Sequence, residues 1–495
     1  MELKGKLAKD KYAHDRNNET HLLVELKAPK VDWEKDRAPI CVLPVLDVSG
    51  SMSGQKIDYV RKACRKLMNH LAPGDFAGLV SFDSFVHPIA EPREITQEQK
   101  DNLKKMVDEL HAGSCTNMSG GLFQALEWIN KLDLPDKFIL RVILFTDGHA
   151  NVGITGRNLL EAAEKQKGRA SISAFGFGND CDQELLADIA NKCGGNYAFI
   201  DSPDTAMAAF ARELGGLMST YAQNISVKIS PDKNNKVLEI LNDEDVVEDK
   251  GVTTVQLQDI LGEESKYIVA KVQLNEVEKP LPRKVNAFKV DVSYTDKEGS
   301  KQDLKTMAVK VKFCKADEEP TEEDADVVKH RDRLLAGRAQ DQAEIYARMG
   351  NYEGARGVML DCFNSISDEG VKGLVNSVGV NYLSAESYNA SHGTTKAVRQ
   401  GLKKGRVMSY SSSDAAEVKT SGAISNTAMD DMVNSFTAGD GDDWDVNGVS
   451  AYPNDLNGSI MVSSDPDPSV SIAVDKEEEK KEEKGSSKKR SNRDW

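Results

Sequence analysis

No run in this 495-residue chain approaches the ~20 consecutive apolar residues needed to span a bilayer. The opening MELKGKLAKDKYAHDRNNET has no apolar signal core either. No membrane insertion and a cytoplasmic location are therefore expected. Basic charge is in short supply, with 64 Lys and Arg against 80 Asp and Glu and a net charge of -16. A chain that binds nucleic acid as its main business needs a dense basic face, so that class is excluded. The acidic balance mostly serves solubility. The seven cysteines are odd in number and scattered, with no Cys-x-x-Cys pair. That excludes a disulfide framework and a zinc knot, and leaves reduced, mostly buried thiols as the expectation.

What is present is enough apolar material, 39% of residues, for more than one core. A single core stops growing near ~250–300 residues, so two or three domains are expected. From Cys41 to about Tyr221 apolar strands alternate with amphipathic helices, the pattern of a mostly parallel, doubly wound, Rossmann-like α/β sheet covered on both faces. Strands are predicted at 41–47, 76–82, 141–147, 171–177 and 196–200, with 86–90 as one antiparallel partner. From NISVKISP at 224 to LKTMAVKVKF at 304–313, evenly spaced alternating runs predict an antiparallel β-sandwich. HLLVELKAP at 21–29 also alternates and precedes the α/β region, so it is expected to join that sandwich.

The remainder turns helical from about Thr321, and a Gly-Asn break at 350–351 predicts a helical hairpin. Beyond 405 the chain is rich in Ser, Asp, Asn and Gly and finishes in EEEKKEEKGSSKKRSNRDW. Such a tail buries too little apolar surface to offset ordering entropy and is expected to stay unfolded. The expected organisation is thus an N-terminal segment over 1–37, the α/β domain over 38–221, the sandwich over 222–316, a helical region over 317–404 and the tail over 405–495.

The stretch VLPVLDVSGSMSGQK, residues 42–56, ends an apolar strand with Asp47 and follows it with Ser49, Ser51 and Ser53. Asp and Ser are ordinary residues of turns and helix caps, so the stretch alone is weak. Its position gives it weight, because ligands bind at the carboxyl ends of strands in a doubly wound sheet. One carboxylate and two hydroxyls suit a hard cation such as Mg²⁺, which takes an oxygen shell and tolerates waters. Two further stretches add oxygen donors on the same edge: GSCTNMSGGL contributes Thr116 and LFTDGHANVG contributes Asp147.

Asp47-x-Ser49-x-Ser51, then Thr116, then Asp147 in Thr-Asp-Gly resembles a von Willebrand factor A domain with an intact metal-ion-dependent adhesion site, over roughly residues 38–221. The resemblance implies Ser49, Ser51 and Thr116 as direct or near-direct ligands of Mg²⁺ or Mn²⁺, with Asp47 and Asp147 acting commonly through water. It implies a binding mechanism in which a protein partner presents an Asp or Glu to the ion. Ser53, Gln55, Asn117, Met118, His149 and Asn151 are the expected rim of that contact. A broader likeness, in VELKAPKVDWEKDRAPICVLPVLDVSGSM, is to the wavy-growth RING ubiquitin ligases of plants. The chain has no Cys-rich RING, so ligase activity is not carried over.

Two other function classes stand beside metal-dependent binding. One is a scaffold or regulatory component that works through the helical region and tail. The other is a metal-dependent hydrolase, which has little to stand on. GSMSGQK spaces its glycines by three residues rather than the four of a phosphate-binding loop, and no Gly-x-Ser-x-Gly elbow occurs. The chain is accordingly expected not to be an enzyme.

Overall fold

The computed structural model describes residues 1–388, apart from 36, 149, 179–180, 201–202, 233–234 and 282, together with 406–408 and 428–432. The chain opens with three strands, β1 (Glu2–Leu7), β2 (Lys11–Ala13) and β3 (Asn18–Lys27). It then enters the α/β unit with β4 (Ile40–Asp47), β5 (Phe76–Phe82), β6 (Val86–Glu94), β7 (Ile139–Thr146), β8 (Ser171–Phe177) and β9 (Gly194–Ile200). The helices among these strands are α1 (Gln55–His70), α2 (Gln97–Asp108), α3 (Met118–Lys131), α4 (Gly156–Gln166), α5 (Gln183–Lys192) and α6 (Pro203–Met218).

The six strands run in the order β6-β5-β4-β7-β8-β9. All neighbours are parallel except β6 on β5. Alternation along β4 shows why both faces need cover. Ile40, Val42 and Leu46 join the core that α1, α2 and α6 line, while Cys41, Leu43 and Val45 join the core under α3, α4 and α5. Winding proceeds outward from β4 through β5, then returns past β4 to β7. The order therefore reverses between β4 and β7, which opens a crevice at their carboxyl ends.

Two sheets follow, antiparallel except where β2 runs parallel to the last strand, built with β10 (Thr220–Pro231), β11 (Lys236–Ile240), β12 (Asp245–Asp249), β13 (Val252–Leu257), β14 (Ile260–Leu261), β15 (Glu264–Leu274), β16 (Val285–Thr295), β17 (Lys301–Asp303) and β18 (Met307–Cys314). One sheet has the order β1-β3-β15-β11 and the other β12-β13-β10-β16-β18-β2. Ten residues of β3 pair with β15, from Asn18 opposite Leu274 to Lys27 opposite Ser265. Inward residues of both sheets share one core, among them Leu22, Val24, Val227, Ile268, Val290 and Val311. The α/β unit is thus threaded between β3 and β10 of the same sandwich.

The helical region holds α7 (Ala325–Arg348), α8 (Tyr352–Ser365) and a third helix, α9 (Glu369–Val380), where the sequence predicted a hairpin of two. Ser367 and Asp368 stand between α8 and α9. Both of their N–H groups donate to the buried Asp332 carboxylate of α7, at 2.6 and 2.8 Å, and Asp368 caps the new helix. Val327 and Leu334 of α7 pack on Leu23 and Val269 of the sandwich, and His330 stacks on Tyr267 at 3.7 Å.

Most of the expected tail lies outside the described residues. Its two described pieces return to the body. Arg406–Met408 pairs antiparallel with β15, and residues 428–432 bury Ala428, Met429 and Met432. The backbone of Met429 comes so near α6 that a methyl group added at Gly215 would lie 2.6 Å from its Cα.

Candidate metal centre

Asp47 ends β4 with none of its surface exposed. One carboxylate oxygen accepts the N–H of Ser49 at 2.8 Å and the other accepts the Thr146 hydroxyl, at the end of β7, at 2.6 Å. Adjacent strands thereby lock its rotamer. Burial pushes the Asp47 carboxyl up to about 6, with the Ser49 and Thr146 hydrogen bonds pulling against burial and the nearby Asp147 adding to it.

The chain leaves β4 through a tight turn over Gly50–Met52. Val48 and Gly50 tie this turn to the 113–114 loop through Gly113 N to Val48 O at 2.5 Å and Gly50 N to Ser114 O at 3.0 Å. Ser49 and Ser51 then face one another, with their hydroxyl oxygens 3.1 Å apart. Ser51 donates its hydroxyl to Asp147 at 2.7 Å, and Asp147 is as buried as Asp47. Thr116 is buried at the base of the loop before α3. Gly148 shows how close these groups stand: a methyl group there would lie 3.3 Å from the Thr116 hydroxyl oxygen and 3.9 Å from that of Ser51.

Oxygen donors from three segments therefore meet at the crevice between β4 and β7. Asp47, Ser49, Thr116 and Asp147 are buried, whereas Ser51 is open to solvent. Two carboxylates and three hydroxyls match the chemistry of a hard dication, so the donor set fits Mg²⁺ or Mn²⁺. Among the described residues, no group of three or more His, Cys, Asp and Glu gathers to hold a metal.

The expected rim divides. Ser53 and Gln55 are exposed, with the Ser53 hydroxyl donating to Gly50 O at 2.7 Å. Asn151 is exposed too, and its side-chain oxygen accepts the Thr116 N–H at 2.9 Å while Thr116 O accepts the Asn151 N–H at 3.2 Å. Asn117 is half-buried and caps α3 by accepting the Gly120 N–H at 3.1 Å. Met118 is no rim residue. It is fully buried, because it begins the apolar stripe of α3 that continues through Leu122, Ala125 and Ile129. His149 lies outside the described residues.

Sequence reasoning passed over two neighbours of the cluster. Thr146 was read only as part of a strand, although a hydroxyl just before Asp147 on β7 is placed to reach the end of β4. Lys56, in the first turn of α1, was given no role; its ammonium pairs with Asp147.

Residues 41–199 match the von Willebrand factor type A domain family. The chain is 31% identical over 163 residues to inter-alpha-trypsin inhibitor heavy chain 4 of Mus musculus, covering 31% of this chain and 17% of that protein. It is 28% identical over 217 residues to the uncharacterized protein YfbK of Escherichia coli, covering 43% of this chain and 37% of that protein. The chain thus spans well under half the length of these relatives. In fold it is similar to a von Willebrand factor type A structure from Catenulispora acidiphila, with a TM-score of 0.60 at 17% identity over 85% of this chain and 96% of that one.

Over residues 41–199 the fold and these matches define a von Willebrand factor type A domain. The likeness to wavy-growth ubiquitin ligases receives no support from these matches. The cytoplasmic expectation is corrected. The named heavy-chain relatives are secreted plasma proteins.

Proposed function

We propose that this chain is a metal-dependent protein-binding module, in which Asp47, Ser49, Ser51, Thr116 and Asp147 hold Mg²⁺ or Mn²⁺ and the ion receives an Asp or Glu of a partner protein. The observation that carries this reading is the Ser51 hydroxyl, exposed, 3.1 Å from Ser49 and donating to the buried Asp147 at 2.7 Å. Oxygens fixed from behind and open in front form a half-shell with room for a visitor. When bound, the dication supplies an electrophilic position that a partner carboxylate can complete. Asp47 is oriented by Thr146 and neutralises charge from beneath. Asn151 and Thr116 staple the 116 and 148–153 loops, which sets the spacing of the rim. Ser53, Gln55 and Asn151 then border the approach.

Calorimetry of the full chain with Mn²⁺ alone tests the site. One equivalent should be taken up by the wild type and none by Asp47→Ala, with far-ultraviolet circular dichroism unchanged. A folded wild type that takes up neither Mn²⁺ nor Mg²⁺ overturns the reading.

A second reading, partner recruitment through the helical region, has one observation in its favour. Ile345, Tyr346 and Met349 are 54%, 41% and 76% exposed within little more than a turn at the end of α7. Binding that persists in EDTA but is lost on Met349→Asp would favour it.

A further inference from the structure

Asp147 has both carboxylate oxygens engaged. One accepts the Ser51 hydroxyl at 2.7 Å and the other pairs with the ammonium of Lys56. Lys56 is 35% exposed and Asp147 is 0% exposed, so a cation held from the solvent side neutralises a buried anion. The lysine reaches this position from the first turn of α1. It lies against the end of β8, where a methyl group added at Gly178 would stand 3.8 Å from its Nζ. The same Asp147 is one of the groups assigned above to the dication.

Resting on the metal reading, we propose that Lys56 is an internal counter-ion that competes with the dication for Asp147. An ammonium and a dication drawn to one carboxylate repel each other strongly in a partly desolvated crevice. Metal entry therefore detaches Lys56 from Asp147. The long, flexible stem carries the ammonium outward to the exposed rim beside Ser53 and Gln55. Two consequences follow from this geometry. Without metal, Asp147 is neutralised and the cluster holds together. With metal, a positive charge is delivered to the edge that a partner's carboxylate approaches, so the ion and the released lysine favour the same acidic ligand.

The test uses the full chain, with Mn²⁺ and Mg²⁺ as the probes. Lys56→Met should bind Mn²⁺ about tenfold more tightly than the wild type at the same stoichiometry, as expected when a charged hydrogen bond no longer has to be broken first. Lys56→Arg, which keeps the charge, should stay near the wild type. In the unmodified chain, the rate at which an acylating reagent labels Lys56, read by peptide mass spectrometry, should rise on adding Mn²⁺. This measurement decides the matter even if the variant fails to fold. Equal or weaker Mn²⁺ affinity in folded Lys56→Met, or labelling of Lys56 indifferent to the metal, overturns the competition and leaves the metal site standing. Absence of uptake by both wild type and variant overturns the site reading and this inference together.

Discussion

Asp75 offers the sharpest test of how the α/β unit positions its site, because it anchors the far end of the strand that carries Asp47. The carboxylate is buried and accepts two hydrogen bonds from the Arg37 guanidinium, at 2.8 and 2.5 Å. It also accepts the N–H of Ile40, at the start of β4, at 3.0 Å and the N–H of Ala72 at 2.7 Å. Asp75→Ala orphans both N–H groups and leaves the 11%-exposed Arg37 without its counter-charge. Breaking one partner of a buried pair costs about 3–5 kcal/mol. For a cooperative unit of this size that lowers the melting temperature by roughly 10 °C. Arg37→Met with Asp75→Ala should recover part of the loss, because the stranded charge is then gone while the two orphaned N–H groups remain. Urea denaturation of the single and double variants separates the stranded charge from the two orphaned N–H groups. A single-variant cost below about 1 kcal/mol, the level of an exposed pair, would refute the claim that this carboxylate pins the strand.

Acid should weaken the junction between α7 and the sandwich. Burial, reinforced by Arg333 and Lys329, pushes His330 down to about 3 from its ordinary 6.5. Between these values the unfolded chain holds a proton that the native one refuses, so stability is complete above pH 6.5 and declines as pH falls toward 3. His330→Phe, which keeps a ring on Tyr267, should flatten that decline by about 1–3 kcal/mol between pH 7 and 4, as read from urea midpoints. Gly195 is set by close approach of β9 to β8. A methyl group there would fall 2.1 Å from the Ile172 carbonyl oxygen. Gly195→Ala should therefore cost more than about 3 kcal/mol, since the obstacle is backbone and cannot rotate aside; a soluble variant with an unchanged urea midpoint would contradict this.

The sheet of the α/β unit was legible because its strands are continuous apolar runs and its helices carry a single stripe. Phe76–Phe82 and Ser171–Phe177 were bounded correctly from the sequence alone. β12 was missed because DVVED is exposed at every position, so no hydrophobic alternation marks it, and it is a strand only through pairing with β13. Met118 was misplaced for the opposite reason. Its neighbour Thr116 suggested a rim, while the periodicity of α3 had already committed it to the core.

The order Asp47, Ser49, Ser51, Thr116, Asp147 is a property of the sequence, and so is the rule that strand ends in a doubly wound sheet carry ligands. Whether segments about seventy and one hundred residues downstream of Asp47 come within hydrogen-bonding distance of one another is decided by strand order, which places β7 beside β4 and reverses the winding there. Only the folded chain brings Thr146 to Asp47 and Lys56 to Asp147, because each contact spans more than ninety residues and rests on a register that no local pattern encodes.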